Sequence, residues 1–323
     1  MGFLLDSGDH LFGLARSGKR LPHILLVIVL SLVFMFAAQI GGGIIMALMM
    51  VLLSINGLLG GNVSLQTLVD GMVSPNTAWQ QVILLISAFG PVFLVLWMWL
   101  ALFEKRPLWT IGMERTGLGR KYLRGAGVGL AMFSASVAIA AAMGYIAFEP
   151  GDPSRQGWSA LGSVLLVFIG WMVQGPAEEA LMRGWVLPVI GARYRPWLGV
   201  LISALLFALL HSLNPNLSPI AIVNLFLFGV FAALYALAEG GLWGVFALHS
   251  VWNWAQGNVF GLEVSGMMAP GGTLLNLMEV GPDAITGGPF GPEGGLAVSL
   301  VLLVSIAAVI FWSRRRLPAL PTS

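Results

Sequence analysis

Three short stretches put ionisable and amide side chains inside otherwise apolar parts of this chain: Glu178, Glu179 and Arg183 in PAEEALMRG, His211 in FALLH, and His249 and Asn253 in HSVWN. Gln174, Asn224 and Asn258 accompany them as secondary polar residues. A charge at mid-membrane costs about 2.5–3.5 kcal/mol on insertion scales, so three ionisable groups within six residues need partners, water or an interfacial position. Helical spacing separates their roles. Glu179 and Arg183 stand four apart with the acid first, the favourable direction for an ion pair on one face. Glu178 is turned about 100° away on the same helix and faces something else. Phe207 and His211 are again four apart, which lets the phenyl ring pack under the imidazole, and His249 and Asn253 present an imidazole and a carboxamide side by side. Each group alone reads as a charge cluster at a helix end or an interhelical hydrogen bond. Together they supply a carboxylate base, imidazoles and oxyanion donors, the parts that amide hydrolysis needs.

The elements that position these groups follow from composition. The 323 residues are 58% hydrophobic and 9% charged, against about 25% charged for an ordinary soluble domain. Apolar runs lie near 23–55, 77–103, 124–148, 158–175, 197–213, 218–238, 241–259 and 294–312, and most are long enough to cross roughly 30 Å of hydrocarbon. The expectation is an all-α, polytopic membrane bundle of about eight transmembrane helices with the active site inside it. One transmembrane domain would occupy 23–313, after an N-terminal segment 1–22 and before a basic tail 314–323. The first run exceeds what a bilayer needs, and Gly41–Gly43 is the expected bend. Gly125 and Gly129 stand at a spacing that suits close helix packing. A second expectation is one long helix from about 158 to 192, continuing through Pro176, because it would carry the glutamates deeper than a helix ending at 175.

Lysine and arginine orient the bundle. Arg16, Lys19 and Arg20, then Lys105, Arg106, Arg115, Arg120, Lys121 and Arg124, then Arg193 and Arg195, then Arg314, Arg315 and Arg316 all fall on one face of an eight-span chain. The positive-inside rule makes that face cytoplasmic and puts both termini there. The other face holds Arg155 and the acids Asp70, Glu149, Asp152, Glu263, Glu279, Asp283 and Glu293. Its Gly/Pro-rich stretch 260–293 is expected to be an irregular loop with a short interfacial helix at LLNLME, and Glu293 to face the positive start of the last helix. The net charge of +2 does not point to nucleic acid, and no glycine cluster has the Lys-Ser/Thr sequel of a nucleotide loop. Cys-ligated metals and disulfides are excluded because the chain has no cysteine.

The three motifs EExxxR, FxxxH and HxxxN, in this order over residues 170–260, resemble the CPBP family of intramembrane proteases, which includes type II CAAX prenyl endopeptidases and bacterial Abi proteins. The residue before the arginine is Met182 where the family often has Phe. The resemblance implies that Glu178 and His211 activate water, that His249 and Asn253 stabilise the oxyanion, and that Glu179 and Arg183 hold the first motif in place, with Phe207 as a further support. It implies a family core over about 158–260, a peptide or membrane-protein substrate, and a bacterial plasma membrane. Zinc on Glu178, His211 and His249 is the competing reading of the same residues; family precedent favours a glutamate protease without cofactor. Two other functions use the same features: a non-catalytic immunity or adaptor protein that keeps the fold, and a proton-coupled transporter. The intact motifs oppose the former, and the absence of an internal repeat opposes the latter.

Overall fold

The computed structural model describes residues 5–55 and 77–314. Asp70, Arg315 and Arg316 lie outside the described residues. The chain is a polytopic helical bundle. A short helix α1 (His10–Arg16) precedes α2 (Ile24–Ile55), α3 (Ala78–Trp99), α4 (Leu118–Ala142), α5 (Leu161–Leu181), α6 (Leu187–Arg193), α7 (Pro196–Leu210), α8 (Pro219–Glu239), α9 (Trp243–Trp254), α10 (Asp283–Thr286) and α11 (Leu296–Arg314). Wide π-helical turns extend α3 over Leu100–Glu104, join α5 to α6 over Met182–Val186 and extend α9 over Ala255–Phe260.

These elements form eight rods where the apolar runs place eight spans. Six are long and apolar enough to cross a membrane: Ile24–Met49, Ala78–Glu104, Leu118–Ala142, Gly157–Arg193, Pro219–Glu239 and Leu296–Ser313. The remaining two are short: α9 is buried nearly throughout, and α7 packs one face on α6 and α8 while Trp197, Leu205 and Leu209 on the other stay exposed. Short helices are tolerated there because neighbouring protein surrounds their ends and supplies backbone partners. The chain is therefore a multi-pass membrane protein, with Leu, Val and Phe side chains of the outer helices exposed where lipid would cover them.

Two rods place the site. The first is continuous over 37 residues, Gly157–Arg193, and runs straight through Pro176, which lies inside α5. Proline costs a helix one backbone hydrogen bond. Burial of every residue from Gln174 to Gly191 holds the rod together past that defect. The second rod is α9, whose buried face meets α4 on one side and α5 on the other. Glycine sets both distances. A Cβ on Gly125 would stand 1.9 Å from the Gly244 carbonyl oxygen, one on Gly129 would stand 2.4 Å from that of Leu248, and one on Gly175 would reach 2.9 Å from the Ser250 nitrogen. Only hydrogen at these positions lets the three helices touch along their backbones.

Several expected boundaries shift. The third span stops at Ala142 rather than 148, and Ile146–Phe148 forms a strand, β1, after a turn at Gly144 with φ +78°. Its antiparallel partner β2 is Leu277–Glu279, in register Ile146↔Glu279, so the apolar piece expected to be an interfacial helix is extended. A six-residue apolar run has no periodicity long enough to choose between the two, and the free edge of β1 decides. The short helix of this loop is α10 instead. The Glu293 carboxylate accepts from the Ser265 backbone N–H at 2.8 Å and the Ser265 hydroxyl at 2.7 Å. At Gly42 the helix α2 continues, and a Cβ there would fall 2.1 Å from the Ser87 carbonyl oxygen. Close packing against α3 accounts for that glycine.

Candidate active site

Glu178 lies in the third-last position but one of α5, one turn after Gln174 and one helical step before Glu179, and all three are buried. The helical offset sends the two glutamates in different directions. Glu179 meets Arg183, whose Nη1 donates to Oε1 at 3.0 Å, with both side chains fully buried. The guanidinium carbon of Arg183 sits 4.5 Å over the Phe207 ring, which binds α5 to α7. The same Oε1 of Glu179 takes a second partner from another helix, His249 Nδ1 at 2.9 Å. A carboxylate only accepts, so Nδ1 carries the proton and donates. In a neutral ring this leaves Nε2 unprotonated, and Nε2 lies 3.9 Å from Glu178 Oε2.

Glu178 is held at one oxygen. Gln174 Nε2 donates to Oε1 at 2.7 Å, and Gln174 Oε1 accepts from Asn253 Nδ2 at 2.8 Å. Gln174 thus ties the base of the first motif to the amide of the third. Oε2 of Glu178 is buried and has no protein hydrogen-bond partner.

That cavity has a volume of about 980 Å³ and is lined by Glu178, His211, His249 and Asn253 together with Gln174. His211 caps the end of α7 rather than lying within it, and its Nδ1 donates to the Phe207 carbonyl at 2.8 Å. Its ring packs on Phe207 at 4.7 Å between centroids, which leaves Nε2 as the free acceptor. Phe228, 5.0 Å from the His249 ring, fixes that imidazole from α8. The residues of the three motifs therefore meet: Glu178, Phe207, His211, His249 and Asn253 on the cavity wall, and Glu179 and Arg183 behind it.

Gln174, a secondary residue by sequence, turns out to join the two motifs, because it stands one helical turn before Glu178 on the same face. Asn258 and Asn224 have structural partners. Asn258 accepts from Trp171 Nε1 and donates to the carbonyls of Pro270 and Gly272. Asn224 donates to those of Glu293 and Gly295. Sequence reasoning passed over Glu104, which binds Trp99, Trp185 and Arg106, and Glu239, which pairs with Arg124. Each sits at a span end next to basic residues and reads as loop charge.

Glu178, His211 and His249, the residues of the zinc reading, all line the cavity. Among the described residues no three His, Asp or Glu side chains are grouped so as to hold a metal ion. One nitrogen of each imidazole donates to an oxygen acceptor of the protein and one oxygen of Glu178 accepts from Gln174, which leaves Nε2 of each ring and Oε2 of Glu178 without a protein hydrogen bond.

Comparison with known proteins agrees with the motifs. Residues 160–255, which contain α5 through α9 and every residue of the site, match the family model of type II CAAX prenyl endopeptidase Rce1-like proteins. An uncharacterized 24.3 kDa protein of Escherichia coli is 33% identical over 158 residues, a stretch covering 47% of this chain and 66% of that protein. No solved structure matches the chain. The motif residues gathered on one cavity all lie inside this segment, 160–255, which is similar to the Rce1-like type II CAAX prenyl endopeptidase family.

Proposed function

We propose that this protein is an intramembrane endopeptidase that hydrolyses a peptide bond in a membrane-associated protein or peptide, using Glu178 as general base and no metal. The observation that carries this reading is Glu178 itself: it lines a cavity shared with His211 and Asn253, and its Oε2 is buried without a hydrogen bond, 3.9 Å from His249 Nε2. Glu178 Oε2 takes a proton from water while His211 Nε2 accepts the second hydrogen bond and orients it. The hydroxide attacks the scissile carbonyl carbon, and the carbonyl electron pair moves to oxygen. Asn253 has a second amide N–H beyond the one given to Gln174, and it donates to this oxyanion. His249 donates from Nε2 as the imidazolium, with Glu179 stabilising the positive ring from behind through Nδ1. Collapse of the tetrahedral intermediate breaks the C–N bond, and the proton held by Glu178 passes to the leaving amine. Glu179, Arg183 and Phe207 position the His249 ring and the first motif without touching substrate.

The chain belongs in this reading to a bacterial plasma membrane, with both termini in the cytoplasm. Residues 23–313 act as one transmembrane unit around the core 158–260. The test is cleavage of membrane-anchored reporter peptides by the purified protein in lipid nanodiscs, compared with Glu178→Gln and with chelator-treated wild type. Loss of cleavage in the variant and full cleavage with chelator are expected. Cleavage that survives Glu178→Gln sinks the base assignment, and loss with chelator restored by zinc sinks the metal-free mechanism. A scaffold would bind its partner equally well in both forms without any cleavage.

A further inference from the structure

We infer that the cavity takes its substrate from the non-cytoplasmic side, so that the peptide cleaved is one already translocated, or the outer portion of a membrane-anchored chain. This rests on the protease reading above for the word substrate, and on geometry for the direction. The cavity is walled at one end by residues of the connections that leave the bundle opposite its basic face. Asp152 and Gln156 come from the link between α4 and α5, Asn214 from that between α7 and α8, and Ser265, Met268 and Thr273 from that between α9 and α11. No residue of the basic connections 105–117, 194–195 or 240–242 lines it. Arg16, Lys19, Lys105, Arg115, Arg120 and Arg195 stand on that other face, which the distribution of positive charge makes cytoplasmic.

The route to the basic face is closed by packed protein. Beyond Glu178 the rod stays buried through Gly191, and the Trp185 ring fills the space beneath the site. Helix α1 seals this end further, with Leu11, Phe12 and Ala15 buried and the Phe12 ring against Gly191. Toward the opposite face the path is polar. Gln39 lines the cavity although it lies in the middle of an apolar span and is exposed, which suits a water-filled space reaching to that helix. At the mouth, Gln156 and Thr273 bridge the two outer links through their backbones, and the exposed Met268 beside them offers a soft apolar surface. Amide partners flanked by methionine suit an extended peptide with apolar side chains. In a reaction sequence, export of the peptide would therefore precede this cleavage.

The chain has no cysteine, so single thiols can be placed without background. Met268→Cys at the mouth and His211→Cys or Leu210→Cys on the cavity wall would be exposed to a small, charged, membrane-impermeant thiol reagent. Arg115→Cys on the basic face serves as the opposite marker. In intact cells the mouth and wall thiols should label and Arg115→Cys should not; in inside-out vesicles the pattern should reverse. Labelling of His211→Cys and Leu210→Cys only from inside-out vesicles, or from neither side, overturns the inference. The outcome needs no catalysis and should be the same with Glu178→Gln added. A failed protease reading and a failed direction of entry are thereby told apart.

Discussion

Glu104 and Glu178 are both buried carboxylates on membrane rods, 0% and 6% exposed, and their oxygens are used differently. Glu104 spends both. Its Oε1 accepts from Trp185 Nε1 at 2.6 Å and Trp99 Nε1 at 2.9 Å, and its Oε2 from Arg106 Nε at 2.7 Å. Arg106 in turn reaches the Thr110 carbonyl and hydroxyl, so the cluster closes on itself at the basic end, away from the cavity. Glu178 spends one oxygen on Gln174 and leaves the other buried beside an imidazole without a hydrogen bond. A saturated buried acid staples helices together. An acid left half-partnered at a cavity wall is kept where a reactant supplies the missing partner. Burial alone does not tell these two apart, and since Glu179 Oε2 also has no hydrogen-bond partner, it is the place of Glu178 on the cavity wall that distinguishes it.

Substitutions that break the comparison should have opposite signatures. Glu178→Gln should lower the cleavage rate by about 10²–10⁴-fold, the range for loss of a general base, and leave thermal stability unchanged or slightly raised, because a buried charge with a free oxygen disappears. Peptide cleavage and thermal unfolding in the same nanodisc preparation measure both. Glu104→Gln should do the reverse. It leaves Arg106 buried without its countercharge, a loss of about 3–5 kcal/mol, while cleavage per folded molecule stays near wild type. If Glu104→Gln abolishes cleavage in protein that remains folded, the division between staple and base is wrong.

Gln174→Ala sharpens the contrast within the site. It removes the donor to Glu178 and the acceptor for Asn253 together, at a cost of about 1–3 kcal/mol for the groups left unpaired. The cleavage rate should fall by about one to two powers of ten by the corresponding rate relation. The double variant Gln174→Ala with Asn253→Ala should lose less than the sum of the two single losses, since they share one hydrogen bond.

The smallest effect lies in the outer loop. Burial and the neighbouring Glu263 push the Glu279 carboxyl up to about 8 from its ordinary 4.5. The folded loop then holds the protonated acid more tightly than the unfolded chain does. Its contribution is complete below about 4.5 and is lost as pH rises through about 8. Amide hydrogen exchange over 277–280 should speed up between these values in wild type, beyond the intrinsic pH trend, and Glu279→Gln should remove that excess. Equal excess in both proteins would assign the effect elsewhere.

Much of the site was readable because its parts repeat at one helical turn. Glu179 with Arg183 and Phe207 with His211 are each set by a single helix, so four-residue spacing identifies the neighbours, while Gln174 stood at the same spacing from Glu178 and went unpaired. His249 with Glu179 and Gln174 with Asn253 cross between helices and have no signature in spacing. Glu104 and Glu239 escaped notice because a charge at the end of an apolar run looks the same whether it faces water or a buried arginine.

The apolar runs determined by themselves that the chain is a membrane bundle of about eight rods, since length and hydropathy of a segment need no partner to act. The arrangement of positive charge gave an expectation for the direction through the bilayer, and the i, i+4 pairs carried much of the local contents of the site. Tertiary structure decided the rest. It determined that the rod passes Pro176 to reach Arg193, that LLNLME is extended, and that Glu179 supports an imidazole as well as an arginine. It also determined that the cavity faces away from the basic end. These depend on how closely α4, α5 and α9 approach and on which loop covers which opening. Such distances are set by hydrogens at Gly125, Gly129 and Gly175 meeting backbones that lie far away in sequence.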